Sequence, residues 1–288
     1  VHTTFNQTGT VTGRIASQNP NLQNIPIRTE LGRRVRQGFI AAPGHKLLAV
    51  DYSQIELRIV AHLAQDEAMM KAFHEAQDIH AATAAAIEDV PLNEVTKQQR
   101  RHAKAINFGL IYGMSPFGLT RTTDLTLAEA ENFVKEYFRE FPGVKKWLDN
   151  TRLQASRQGY VETLLGRRRY FPALAAGTNY TIRQREEREA INAPVQGTAA
   201  DIIKLAMIAL PDAFEQARLN GCMLLQVHDE LIFEVPEREV AETIATAKGV
   251  MEHTMPLDVP LLTEARTGSN WGELEPVSDS VIEDLTDV

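Results

Sequence analysis

The chain has 288 residues, 43% of them hydrophobic, and a net charge of −8 at neutral pH. That is ample apolar sequence for one or two globular domains, and it excludes a chain too polar to fold. The single cysteine, Cys222, excludes an internal disulfide and a cysteine-rich zinc site, and fits a reducing compartment.

No run of about 18 apolar residues and no signal-peptide pattern is present, so neither a membrane nor secretion is expected. The charge is unevenly spread. From Glu273 onward there are six acids and no Lys or Arg, and without those six the net charge is only −2. "RRVR" (33–36), "KQQRRHAK" (97–104) and "GRRRY" (166–170) are basic clusters that could meet phosphates, although each alone also suits a solvated face.

In chain order, the first forty residues are rich in Gly, Thr, Asn and Pro and look irregular. "HKLLAV" predicts a short buried strand ending at Asp51, and from Gln54 the spacing of Ile55, Ile59 and Leu63 predicts a helix. A mainly helical stretch follows to about residue 220. Thr96 with Gln99, and Thr126 with Glu129, form capping boxes for helices running through Tyr112 and to about Pro142. "VETLLGRRRYF" predicts a hairpin turning near Gly166. Then come "NYTIRQREEREAIN", a break at Pro194, and a helix over about 198–219 with Gly221 beyond its end. The hairpin "CMLLQVHDELIFEV" (222–235), a helix over about 237–253 and a strand in "VPLLTEAR" complete the periodic sequence. Beyond Trp271 the acidic tail lacks periodicity and reads as mobile. Strands at both ends with helices between predict an α+β domain interrupted by a helical subdomain.

Three constellations carry chemistry. Two apolar strands, in "LLAVDYSQIEL" and "LLQVHDELIFEV", run into Asp51 and Asp229. An ionised carboxylate at a strand end is costly to desolvate unless paired or bound to a cation. Side by side, the two strands would join their carboxylates around divalent metal, for which Mg²⁺ is suited; a lone aspartate there would more simply cap its own turn. In "RRHAKAINFGLIYG", Arg100, Lys104, Phe108 and Tyr112 are spaced by four, setting two cations and two rings on one helical stripe. Cations suit a polyphosphate and rings a sugar or base; the plainer alternative is solvated cations beside core aromatics. In "REAINAPVQG", Arg188, Asn192 and Gln196 repeat that spacing and could read base edges or hold phosphates, or simply form a solvated helix end.

"DYSQIELR", "RRHAKAINFGLIYG" and "QVHDE" resemble, in order and separation, the A, B and C motifs of family A DNA polymerases of the bacterial DNA polymerase I type. "TGRIASQNPNLQNIP", "DIHAATA" and "NAPVQGTAADIIK" resemble further segments, and the likeness runs from residue 1 to about Trp271. It implies a palm over 1–59 and 198–271 with an antiparallel sheet and packed helices, and helical fingers over 60–197; the acidic tail over 272–288 extends beyond the likeness and is assigned no function.

The implied reaction is DNA-templated addition of dNTPs to a primer 3′-hydroxyl with pyrophosphate release, in replication and repair in the bacterial cytoplasm at the nucleoid. By this resemblance Asp51 and Asp229, with the Tyr52 carbonyl, would bind two Mg²⁺ ions (Mn²⁺ substituting), one activating the hydroxyl and one holding the triphosphate. Glu230 would support them and His228 would neighbour the primer end. Arg100, Lys104 and His80 would hold the triphosphate, Phe108 would pack on the sugar, and Tyr112 would flank the templating position. Glu56, with Gln54 nearby, would exclude a ribose 2′-hydroxyl. Arg14 and Gln196 would contact the minor groove, Gln23 and Asn24 the DNA beside them, and Arg188 and Asn192 the template. The family's thumb and exonuclease domains precede the point where this sequence begins, so the chain reads as part of a larger polypeptide or of a split polymerase that works with those domains as a separate chain. Two rivals remain: a two-metal nuclease or phosphohydrolase, for which the stripe from Arg100 to Tyr112 has no use, and a DNA-binding fragment inactive without its thumb.

Overall fold

The computed structural model describes residues 1–27, 29–175 and 179–277. Strands β1 (Thr4–Asn6) and β2 (Ala16–Gln18) precede helix α1 (Glu30–Gln37) and β3 (His45–Tyr52). Seven helices follow: α2 (Ile55–Ala64), α3 (Glu67–His74), α4 (Ile79–Glu88), α5 (Lys97–Ile111), α6 (Pro116–Leu119), α7 (Leu127–Glu140) and α8 (Pro142–Gln158). Strands β4 (Tyr160–Glu162) and β5 (Arg168–Tyr170) pair as a hairpin, followed by α9 (Pro172–Ala175) and α10 (Tyr180–Gln216). Last come β6 (Cys222–Val227), β7 (Glu230–Pro236), α11 (Val240–His253), β8 (Thr263–Gly268) and β9 (Glu275–Val277).

The fold is α+β, with antiparallel sheets, and it divides into two compact units. One holds Val1–Ile55, Ala199–Pro256 and the chain from Leu261; the other holds Glu56–Thr198 with Leu257–Pro260.

The first unit is built on a five-stranded sheet ordered β6-β7-β3-β8-β9, each strand antiparallel to its neighbours. Strand alternation sorts β3 into two faces. Leu48, Val50 and Tyr52 share one face, where the Tyr52 hydroxyl donates to the Met251 carbonyl of α11 at 2.7 Å. Leu47 and Ala49 lie on the other, in a cluster with Val227, Ile232 and Trp271. Phe233 of β7, fully buried, meets Phe214 of α10 edge-on at 5.6 Å.

Two expectations for this unit are corrected. The first forty residues are not wholly irregular: β1 pairs with β2, and α1 starts where the Thr29 side chain accepts from the Gly32 amide. Helix α1 hides from an apolar-periodicity reading because Leu31 and Val35 are its only large apolar residues, whereas its cap, its Glu30 and its Arg34 and Arg36 follow the usual end signals. The tail is ordered as far as Val277, because β9 pairs with β8 and closes the sheet edge. Residues 278–288 of that expected mobile tail lie outside the described residues.

In the second unit, side-chain caps start the helices. Asp78 caps α4, and the boxes Thr96–Gln99 and Thr126–Glu129 open α5 and α7 as the sequence predicts. Asp66 serves two helices: its carboxylate accepts from Met69 in α3 at 3.1 Å and from Gly143 at the start of α8 at 2.8 Å. The predicted hairpin turns at Gly166, whose φ of +79° only glycine adopts without strain.

Helix α10 overturns the break expected at Pro194, running through it for 37 residues. Proline there forfeits a hydrogen bond and crowds the carbonyl four residues back. Burial decides the matter, since Ala190, Ile191, Ala193 and Val195 are all at most 3% exposed. One 18-residue window of α10 is apolar enough to cross a membrane, at a mean hydropathy of 1.3, yet 67% of it is buried inside the protein. That is the signature of a core helix.

Candidate active site

Strands β3 and β6 both run toward carboxylates, but they are not neighbours as the sequence reading required: β7 lies between them. Because each is antiparallel to β7, they run parallel to one another and finish at the same end of the sheet. The turn from β6 to β7 contains only His228 and Asp229, since Val227 pairs with Glu230. The Tyr52 amide donates to the Asp229 carbonyl at 3.1 Å, tying that turn to the end of β3.

Register makes the site more acidic than the motif reading implied. Asp51 faces Glu230 on one side and Glu264 on the other. Paired residues project from the same face of a sheet, so three carboxylates form a row across β7, β3 and β8, with Asp229 beside it. Like charges directly opposite one another destabilise a sheet. Burial, then Glu230, Asp229 and Glu264, lift the Asp51 carboxyl to about 7, against the pull of Arg266. Burial likewise raises Asp229, opposed by Arg14 and His228, and Glu230, opposed by Arg266 and Arg36.

Arg266, which the sequence reading missed, lies 3.7 Å from Asp51 and 4.0 Å from Glu230. It pairs with Ala49, two residues before Asp51 on the same face, a position visible only once the register is known. Arg36 was also missed as a site residue. It is buried, donates to the Ile25 carbonyl at 3.0 Å and lies over the Trp271 ring at 4.1 Å. With Asp51, Asp229, Glu230 and His228, both arginines line a cavity of about 570 Å³.

Gln23 and Asn24 line the same cavity. The Gln23 side-chain amide donates to the carbonyl and side chain of Gln226, and Gln226 donates in turn to the His228 carbonyl. This chain of bonds braces the turn, where His228 holds a φ of +56°, costly for a side chain other than glycine. Gln226 is buried and polar, a signal the sequence reading could have used inside an otherwise apolar strand.

The residues fit a hard divalent cation. Two partly dehydrated carboxylates beside a third, under-compensated by arginine, make the oxygen-rich, anionic surroundings such an ion requires. Among the described residues, no three His, Cys, Asp or Glu side chains converge as a metal cage. A site that depends on one or two carboxylates and a bound substrate's phosphates matches that arrangement.

In the second unit, the stripe from Arg100 to Tyr112 is one continuous, partly exposed face of α5 and its C-cap. The alternative of wet cations beside core rings is not what is found: Phe108 and Tyr112 are only half-buried, stacked with centroids 6.5 Å apart. Arg100 grips Asp78 at 2.6 Å, while Lys104 is exposed. His80 of α4 lies 5.7 Å from the Phe108 ring. The Tyr112 hydroxyl donates to Glu56, itself 6% exposed. Arg188 is exposed and Asn192 and Gln196 are half-buried on α10, flanked by buried Ile191 and Val195. Arg188 packs against Gly113, where a Cβ would stand 3.0 Å from its Cγ. Gln54 and Arg14 belong to the first unit, and Gln54 has a φ of +55° just before α2.

Comparison with known proteins agrees with this architecture. Residues 1–273 match the profile of DNA polymerase family A. DNA polymerase I of Pseudomonas aeruginosa is 52% identical over 273 residues, covering 95% of this chain and 30% of that protein. The thermostable DNA polymerase I of Thermus aquaticus is 49% identical over 271 residues, covering 94% and 32%. The chain thus spans about a third of the length of these curated relatives. The polymerase domain of Pol1 from M. smegmatis, solved with DNA primer-template and dNTP, superposes with a TM-score of 0.89 at 47% identity, over 94% of this chain and 48% of that one. The family match, the curated relatives and the solved relative each cover nearly the whole chain, which therefore belongs to DNA polymerase family A.

Proposed function

We propose that the chain is the palm and fingers of a DNA-templated DNA polymerase that extends a primer 3′-hydroxyl with dNTPs, used in replication and repair at the bacterial nucleoid. The observation that carries this is the convergence of Asp51, Asp229 and Glu230 at one end of the first unit's sheet. The M. smegmatis domain, solved with primer-template and dNTP, supports the same partners here.

In this reading the first unit is the palm. Family A polymerases are metal-dependent, and Asp51 and Asp229, with the Tyr52 carbonyl, would hold two Mg²⁺ or Mn²⁺ ions. Bound there, the ions would supply Lewis-acid stabilisation of the attacking and leaving oxygens. Glu230 deepens the negative field that retains them, and Arg266 and Arg36 limit it. Gln23 and Gln226 fix the turn so that His228 and Asp229 keep one orientation; Arg14, Gln23, Asn24 and His228 would bind the primer end.

The second unit is the fingers. Arg100 and Lys104 would neutralise the triphosphate with His80 donating beside them, and Phe108 would stack on the sugar. Tyr112 holds Glu56 in place, where it would exclude a 2′-hydroxyl; Gln54 would bind the nucleotide. Arg188, Asn192 and Gln196 would contact template and minor groove. A two-metal hydrolase would leave the stripe from Arg100 to Tyr112 without a purpose.

Primer extension with Mg²⁺ and four dNTPs, by the chain alone and joined to the N-terminal region of a DNA polymerase I relative, tests the proposal. Extension should vanish in Asp229→Ala and be severely impaired in Lys104→Ala. Unchanged extension in Asp229→Ala would overturn the palm assignment.

A further inference from the structure

Three side chains between α4 and α5 form a closed polar network in the core of the second unit. His80, Thr83 and Asn107 are 1%, 0% and 0% exposed. The Asn107 amide nitrogen lies 3.0 Å from His80 Nδ1 and 3.0 Å from Thr83 Oγ1. Thr83 Oγ1 lies 2.7 Å from the Ile79 carbonyl and 3.2 Å from Asn107 Oδ1.

Proton counting fixes the direction of every bond. A hydroxyl has one proton, and the carbonyl of Ile79, at 2.7 Å, is the nearer acceptor. Thr83 Oγ1 is therefore an acceptor toward Asn107, so the amide must present its nitrogen. That nitrogen carries two hydrogens: one goes to Thr83, and the other points at His80 Nδ1. A ring nitrogen facing an N–H must offer a lone pair, which leaves the ring proton on Nε2. Among the described residues Nε2 has no hydrogen-bond partner of its own.

We propose that Asn107 is a positioning residue: oriented by Thr83, it holds His80 in the tautomer whose Nε2–H donates to the phosphates of a bound nucleoside triphosphate. The assignment rests on the triphosphate lying along Arg100 and Lys104. Phosphate oxygens only accept hydrogen bonds, so the opposite tautomer would turn a lone pair toward them. A neutral donor also suits this spot, because an imidazolium would be repelled by the neighbouring arginine and lysine. Burial, with Arg100 and Lys104 adding to it against Asp78, pushes the His80 ring down to about 4, so the ring is neutral near pH 7 and the bond from Asn107 sets its tautomer.

The test reads the tautomer directly, by ¹⁵N NMR of the histidine-labelled chain without nucleotide, and dATP affinity separately. The unmodified chain and Thr83→Ser should both show protonated Nε2. Thr83→Val, which frees the amide to rotate, should show a mixture. Asn107→Asp, whose carboxylate attracts a proton on Nδ1, should reverse the tautomer and weaken dATP binding roughly tenfold. Protonated Nδ1 in the unmodified chain would overturn the proposal. So would unchanged dATP affinity in Asn107→Asp while Lys104→Ala loses it. If Lys104→Ala binds dATP normally, the triphosphate assignment itself fails, whatever the tautomer. The tautomer of the unmodified chain keeps the test decisive if Thr83→Val or Asn107→Asp does not fold.

Discussion

Replacing Arg266 by Gln removes the cation nearest the carboxylate row and should make the metal-free protein less stable and divalent ions bind more tightly. Arg266 lies 3.7 Å from Asp51 and 4.0 Å from Glu230. Coulomb's law at an effective dielectric of about 20 assigns each contact roughly 4 kcal/mol. The side chains of Arg266 and Asp51 remain 42% and 38% exposed, however. Solvent reduces pairs of this kind to roughly 0.2–1 kcal/mol each, so about 1 kcal/mol in total is expected. In chelator the variant should therefore melt about 2–4 °C lower. On the proposed assignment, a divalent ion would compete with the guanidinium for Asp51. Without it, affinity should rise about fivefold, the equivalent of about 1 kcal/mol. The assay is Mn²⁺ titration followed by electron paramagnetic resonance, beside calorimetric melting in EDTA. It belongs at about pH 8.5, because loss of Arg266 raises the Asp51 carboxyl further and protons would otherwise compete with metal. Equal or weaker Mn²⁺ binding by Arg266→Gln would refute the view of Arg266 as an internal counter-ion.

The remaining predictions concern stability. The His80 ring is held near 4, below its ordinary value of about 6.5, so as pH falls the unfolded chain takes up the proton first. The contribution is complete above about pH 6.5 and is lost as pH falls through 4, at most about 3 kcal/mol in all. Urea unfolding at pH 7 and 4.5 should show a steeper loss for the native chain than for His80→Gln, and parallel losses would contradict it. Phe233→Ala empties a fully buried site against Phe214 and should cost about 3–5 kcal/mol. Phe117, 58% exposed, should tolerate alanine within about 0.5 kcal/mol, and urea midpoints for the two variants provide the comparison.

Which parts of the fold were legible follows from whether their signal is local. Capping boxes at Thr96 and Thr126 concern four adjacent residues, and both helices start where those residues place them. Pro194 misled because its penalty is also local, about 3 kcal/mol, whereas the burial that outweighs it comes from residues distant in sequence. Strand β9 was invisible for the same reason: "EPV" has no strand pattern, and only the free edge of β8 gives it a partner. The stripes on α5 and α10 were readable because period alone places their side chains. Arg266 was not, since its proximity to Asp51 depends on the pairing of β3 with β8.

The carboxylate row can be weighed against the fold that carries it. A sheet selected only for stability would not set Glu230, Asp51 and Glu264 opposite one another, nor fill the φ of +56° in its hairpin with histidine where glycine is unstrained. Both choices oppose folding and both fall at the same end of the sheet, while β7 buries Leu231, Ile232 and Phe233 in succession. Aliphatic β3 and β7, with Leu48, Val50, Leu231 and Phe233 fully buried, are rigid enough to hold that unfavourable cluster in place. A positive φ at a side chain recurs at Ala76, Asp89 and Arg218 and marks no site by itself, whereas like charges set directly opposite one another occur in this sheet only in the carboxylate row. The repulsion among Glu230, Asp51 and Glu264, with Asp229 beside them, therefore makes this end of the sheet the candidate site independently of any relative.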